Sequence, residues 1–144
     1  MTKFDFLDGN GPVPAHQHSN GGGWVADTAT VDETAYVGPD ARVFGNAEVS
    51  GNAKVSDNAE VSGDAWVTGN AKVSDNAQVA DNTKVSGDAQ VSNSAWVLGN
   101  ALVSGDAGVA DSAQVLGNAI VTGDALVCGD ARVYGDARVY DQCG

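Results

Sequence analysis

Residues 43–61 read VFGNAEVSGNAKVSDNAEV. Valine returns at every sixth position, and alanine stands four places after each valine. Followed outward, the valine phase holds without a break over 25–139, twenty valines in all. Alanine keeps its slot beside it, replaced only by Thr83 and, in the tail, by Cys143. A short fixed period sustained over most of a chain is the mark of a stacked solenoid.

The hexad is Val-x-(Gly/Asp)-(Asn/Asp)-Ala-x. Along a strand, side chains alternate between faces, so in Ala-x-Val the Ala and Val point one way and x the other. The two slots after valine's follower must turn the chain. The first is Gly in eleven hexads and Asp in six, and the second is Asn or Asp in fifteen of the twenty. Such residues tolerate a left-handed backbone or bond their own turn. Each hexad is therefore one short strand and one tight corner.

Three hexads close a triangular coil, and stacked coils pair their strands in parallel. At about 4.8 Å per coil, about six to seven coils give a rod roughly 30 Å long. Its interior holds only Val and Ala and should be solid. Burying a valine contributes roughly 1.5–3 kcal/mol, against about 1–2 kcal/mol of backbone ordering per residue. No single coil persists alone; the stack stabilises it.

The hexads VSGNAK (49–54), VSDNAE (55–60) and VLGNAI (115–120) resemble those of the hexapeptide-repeat, left-handed parallel β-helix proteins. The resemblance covers residues 23–144 and implies an all-β fold, a single-stranded left-handed parallel β-helix. Handedness comes from the resemblance alone, because general connection rules favour right-handed crossovers. Many members of that group are acyltransferases, and a few are metal-dependent hydratases. The enzymes carry a catalytic or metal-binding histidine on the coils, often with a loop that interrupts the repeat.

This chain has no histidine after His18, and its hexads run on without insertion. An acyltransferase-like reading therefore lacks the general base that it needs. No catalytic residue, cofactor or metal is assigned. His16 and His18 could share a metal with Asp5 or Asp8, but a zinc site needs three or four placed ligands; they read as cap or surface histidines. Gly21, Gly22 and Gly23 precede a strand rather than a helix, so they are not a phosphate loop but a flexible lead-in to the first coil. Cys143, in an alanine slot, should face inward and Cys128 outward, which argues against a disulfide between them.

The formal net charge is −12. Fourteen of the nineteen acids occupy corner slots, where turn geometry favours them, so much of the charge follows from building corners. Direct nucleic-acid binding does not fit this charge. A thin acidic rod acting as a DNA mimic, a decoy inhibitor of a nucleic-acid-binding machine, is the alternative reading. Lys54, Lys72, Lys84, Arg42 and Arg132 interrupt its acidic faces. No apolar stretch is long enough for a membrane helix, and MTKFDFLDGN lacks a signal-peptide layout; the default location is the cytoplasm.

Two expectations concern partners. Sorting the outward residues by eighteen clusters Trp96, Leu98, Leu102, Leu116 and Ile120 along the edge shared by two walls, a pattern that marks a protein interface. Residues 1–22, with Phe4, Phe6, Leu7 and Val13, should cap the first coil, while the repeat runs uncapped to the end. Arg132, Tyr134, Arg138 and Tyr140 then form an end-to-end interface. The expected function is a non-catalytic, acidic, homo-oligomeric scaffold or protein-binding module, a dimer or trimer that also engages another protein.

Overall fold

A computed structural model describes residues 2–139. Its strands are β1 (Lys3–Asp5), β2 (Pro12–Gln17), β3 (Trp24–Ala26), and then a two-residue strand in every hexad from β4 (Thr30–Val31) to β22 (Arg138–Val139). Every third hexad lies in the same sheet, so three sheets stand as the walls of a triangular solenoid. The chain makes about six coils of eighteen residues, and within the coils all strand pairs are parallel and in register. Val67, for instance, lies between Val49 and Val85.

The hexad explains this register. Over 37–127 every valine of the ladder is at most 3% exposed, and the alanines beside them are sealed as well. A one-residue slip would turn those valines out to water. The ladder of coil-to-coil bonds also continues round the corners. The Glu48 N–H donates to the Ala65 carbonyl at 2.9 Å, Ser50 to Val67 at 2.9 Å and Asn52 to Gly69 at 2.9 Å. Thr83, the one polar residue in an alanine slot, is fully buried and donates its hydroxyl to the Ala80 carbonyl at 2.9 Å. The extra polar group is thereby satisfied at the corner of its own coil.

The corners turn through a left-handed residue, the second after each valine. From Gly45 to Gly135 all of these have positive φ, including Asp57, Asp75, Asp81, Asn93 and Asp111. The first coil is different. Its equivalent residues are Asp27, Glu33 and Pro39, and none has positive φ. Proline's ring forbids it, and there the Thr28 and Thr34 hydroxyls donate to the Gly45 and Gly51 carbonyls of the coil above.

Two devices close the start of the solenoid. Strands β1 and β2 form an antiparallel hairpin, and β2 pairs antiparallel with β3, extending the first wall. Phe4 stacks on Trp24 and Phe6 on Phe44 beneath it, with ring centroids 4.8 and 4.9 Å apart. Leu7 does not share in this cover as expected. It sits near the hairpin tip, 76% exposed, because the turn gives it a φ of 61° and sends its side chain outward.

The second device is the segment 18–23, which latches onto the third wall. Gly23 N–H donates to the Val37 carbonyl at 2.9 Å, and Val37 N–H donates to the Asn20 carbonyl at 3.1 Å. The glycines are therefore not a flexible lead-in. A Cβ on Gly21 would lie 2.2 Å from the Val37 oxygen, and one on Gly23 2.2 Å from the Gly38 oxygen. They are glycine because the backbone must press against another backbone.

The cysteine expectation also needs correction. Cys128 is half-buried and disulfide-bonded. The residue after each valine sits at a corner, not in the middle of a wall, so its sulfur is not confined to the outer face. Cys143, the chain's other cysteine, lies outside the described residues.

Candidate functional site

Each strand offers the solvent one mid-strand side chain, so each wall is a single column of side chains flanked by two rows of corners. On the second wall the column runs Thr30, Glu48, Trp66, Lys84, Leu102, Ile120, Arg138, each in register with the next. Trp66 is 42% and Leu102 37% exposed, and Ile120 is half-buried. The Lys84 ammonium lies 4.8 Å from the Trp66 ring centroid, a cation–π contact that leaves the lysine stem along the wall.

Trp96 belongs to the first wall, 41% exposed, with Gln78 below and Gln114 above. Leu98 and Leu116 are half-buried on the corner between the first and second walls, and the Leu98 N–H donates to the Val115 carbonyl at 2.9 Å. Leu102 and Ile120 are register partners. The five apolar residues thus occupy two adjacent coils, around one corner. Sequence reasoning left Trp66 outside this group. The available signal was its spacing, since Trp66 stands two coils before Leu102 with only Lys84 between them.

The described members of the second expected cluster lie around the same corner, two coils after Trp96, Leu98 and Leu102. Arg132 lies on the first wall, Tyr134 is 67% exposed on the next corner, and Arg138 is exposed on the second wall, in register with Ile120. Tyr140 lies outside the described residues.

Many acids serve the corners. Asp75, Asp81 and Asp111 each accept the N–H of the corresponding corner one coil above, at 3.1, 3.0 and 3.0 Å. Asp64, Asp88 and Asp136 accept side-chain amides from Asn46, Asn70 and Asn118 below them, at 3.3, 3.1 and 3.2 Å. These carboxylates are acceptors between coils, which ties a large share of the negative charge to the corner architecture.

The two histidines have separate partners. His16 Nδ1 lies 2.8 Å from Asp27 Oδ1, and buried His18 places Nε2 2.8 Å from the Ala35 carbonyl, to which it donates. Asp5 accepts the Leu7 N–H and Asp8 the Asn10 N–H. His16, His18, Asp5 and Asp8 are each turned to a different local bond.

A family model described as the YdcK beta solenoid repeat matches residues 113–129 and 131–144. No curated protein and no solved structure matches the chain. The unbroken hexad, the three stacked parallel sheets and this match identify the chain as a β-solenoid repeat protein.

Proposed function

We propose that this solenoid is a non-catalytic scaffold that pairs with a second copy of itself through the second wall. The observation that carries the reading is the order of side chains along that wall. Laid antiparallel on itself about a two-fold axis, the column sets Glu48 opposite the partner's Arg138, Trp66 opposite the partner's Ile120 and Lys84 opposite the partner's Leu102. The corner follows the same symmetry, with Leu98 opposite the partner's Ala80 and Leu116 opposite the partner's Ser62, large against small. A parallel arrangement would instead set Glu48 against the partner's Glu48 and Lys84 against the partner's Lys84, and like charges face to face are unfavourable.

A closed two-fold interface must be self-complementary in this way. The exposed Trp66 and Leu102 supply the apolar surface near the axis, where the Lys84 ammonium is held against the Trp66 ring, with Glu48 and Arg138 at the rim. Rim ion pairs are worth roughly 0.2–1 kcal/mol each, so they set orientation while the apolar surface supplies affinity.

Mass in solution tests the proposal. Leu98→Asp with Ile120→Asp should leave monomers. Glu48→Arg alone should weaken the dimer several-fold, and adding Arg138→Glu should restore it, because both rim pairs are then exchanged together. A monomeric wild-type protein, or a double exchange that fails to restore pairing, would overturn the reading.

A further inference from the structure

The start of the solenoid is closed on the first and third walls and open on the second. Val25, Val31 and Val37 are equivalent residues of the first coil, one on each wall. Val25 is the register partner of His16 in the hairpin. Val37 gives its N–H to Asn20 and receives the N–H of Gly23. Val31 has neither kind of cover. Its strand β4 is the last of the seven-stranded sheet and pairs only with β7 (Glu48–Val49). Thr30 and Asp32 turn their N–H groups up to the Ala47 and Val49 carbonyls, at 2.9 Å each. By the alternation of a parallel ladder, the N–H and C=O of Val31 face the other way. Among the described residues no strand or loop meets them there.

The side chain agrees with the backbone. Val31 is only half-buried, unlike Val25 and Val37, which are fully buried. Proteins generally cover, charge or bend such an edge, because an unpaired one accepts another strand. Here the surrounding charge has one sign. Asp27 stands in the corner before β4, Asp32 and Glu33 in the corner after it, and Glu48 on the neighbouring strand, all exposed. No lysine or arginine stands on this wall before Lys84, three strands away.

We infer that the β4 edge is a docking site for one extended, basic segment of a partner protein, added as a further strand of the second wall. The Val31 N–H and C=O supply the main-chain bonds, and the four acids select lysine or arginine on the added strand. A whole coil does not fit there, because the hairpin and the 18–23 latch occupy the other two walls. The site meets the surface assigned to self-pairing only at Glu48, on β7, so variants that keep Glu48 test the two proposals separately.

The test uses two synthetic peptides, Lys-Val-Lys-Val-Lys and Glu-Val-Glu-Val-Glu, followed by amide resonances of the full chain. In the free protein the Val31 amide should exchange far faster than those of Val25 and Val37. The lysine peptide should shift Val31 and its neighbours and slow exchange at Val31 at least about tenfold, and the glutamate peptide should not. Val31→Pro removes an outward N–H at an edge where proline is tolerated. It should weaken the lysine peptide by about threefold to tenfold and leave the mass in solution unchanged. Glu33→Lys, which spares the backbone and keeps the rim residue Glu48, should reduce the preference for the lysine peptide. A Val31 amide already protected in the free chain, equal binding of both peptides, or preference unchanged in the lysine variant would overturn the inference. So would a concentration-dependent dimer abolished by Val31→Pro, which would give the edge to a second copy.

Discussion

Gly87 offers a direct test of how the corners work. Its φ is 67°, and a Cβ built there would lie 2.9 Å from the Gly105 oxygen and 3.0 Å from the Gly105 nitrogen, one coil above. Alanine should therefore incur about 1–2 kcal/mol for the left-handed backbone, plus the cost of moving the next corner. Its stiffer unfolded chain offsets about 0.4–1 kcal/mol of that, leaving a net loss of roughly 1–3 kcal/mol. Asparagine differs in kind. It enters the left-handed region more easily, and its side-chain oxygen can accept the N–H that the methyl only crowds. Asp81 does this with Gly99 and Asp111 with Gly129, at 3.0 Å in both cases. One such bond is worth about 0.5–1.5 kcal/mol, so Gly87→Asn should stay within about 1 kcal/mol of wild type. Urea unfolding ranks the three proteins, and about 2–4 °C in Tm should accompany each kcal/mol. Because stacked repeats can open locally, amide exchange at Val85 and Val91 should be compared with that at Val49. Alanine as stable as asparagine would refute the account of the corner as an acceptor site aimed at the next coil.

Val79→Ala should cost about 2–3 kcal/mol, from two lost methyl groups and the cavity that they leave, whereas Val31→Ala should cost less than about 1 kcal/mol because that side chain is half-exposed; equal losses in chemical unfolding would contradict the burial pattern. Thr83→Val keeps the shape but removes the bond to the Ala80 carbonyl, and should lower stability by about 1 kcal/mol with faster amide exchange confined to the neighbouring coils; a stabilised protein would show that the hydroxyl is not used.

The valine phase made the solenoid legible because it states register and burial together: a residue six places on meets the same surroundings. From Gly45 onward the corners were legible in their glycines and aspartates, whereas Asp27 fills the same slot without the left-handed turn. The first coil was not legible, since Glu33 and Pro39 break the corner rule and the compensating hydroxyls of Thr28 and Thr34 act on glycines seventeen residues away. The latch was hidden for a similar reason. Gly21 and Gly23 look like slack in a sequence, and only the position of the Val37 and Gly38 carbonyls shows them to be a tight contact. His18 likewise finds its partner in Ala35, whose carbonyl has no signature in sequence. Among the outward residues, spacing by eighteen placed Leu98 and Leu116 on one edge and Leu102 beside Ile120. It gave no weight to Trp66, because a tryptophan separated from other apolar residues by a lysine does not look like part of a patch.

The corner and the buried Val/Ala pair are the same in nearly every hexad, so the spine is indifferent to how many hexads it contains. The surface is not. Loss of residues 86–91 would keep a full ladder of inward valines, yet it would carry Trp96 to the third wall and Leu102 to the first. Loss or gain of eighteen residues would leave every later side chain on its own wall and change only its height. Insertions and deletions in such a chain therefore edit its surface in two separate modes. Changes by single hexads reassign faces, and changes by whole coils alter the distance between features on a face, such as that separating Glu48 from Arg138.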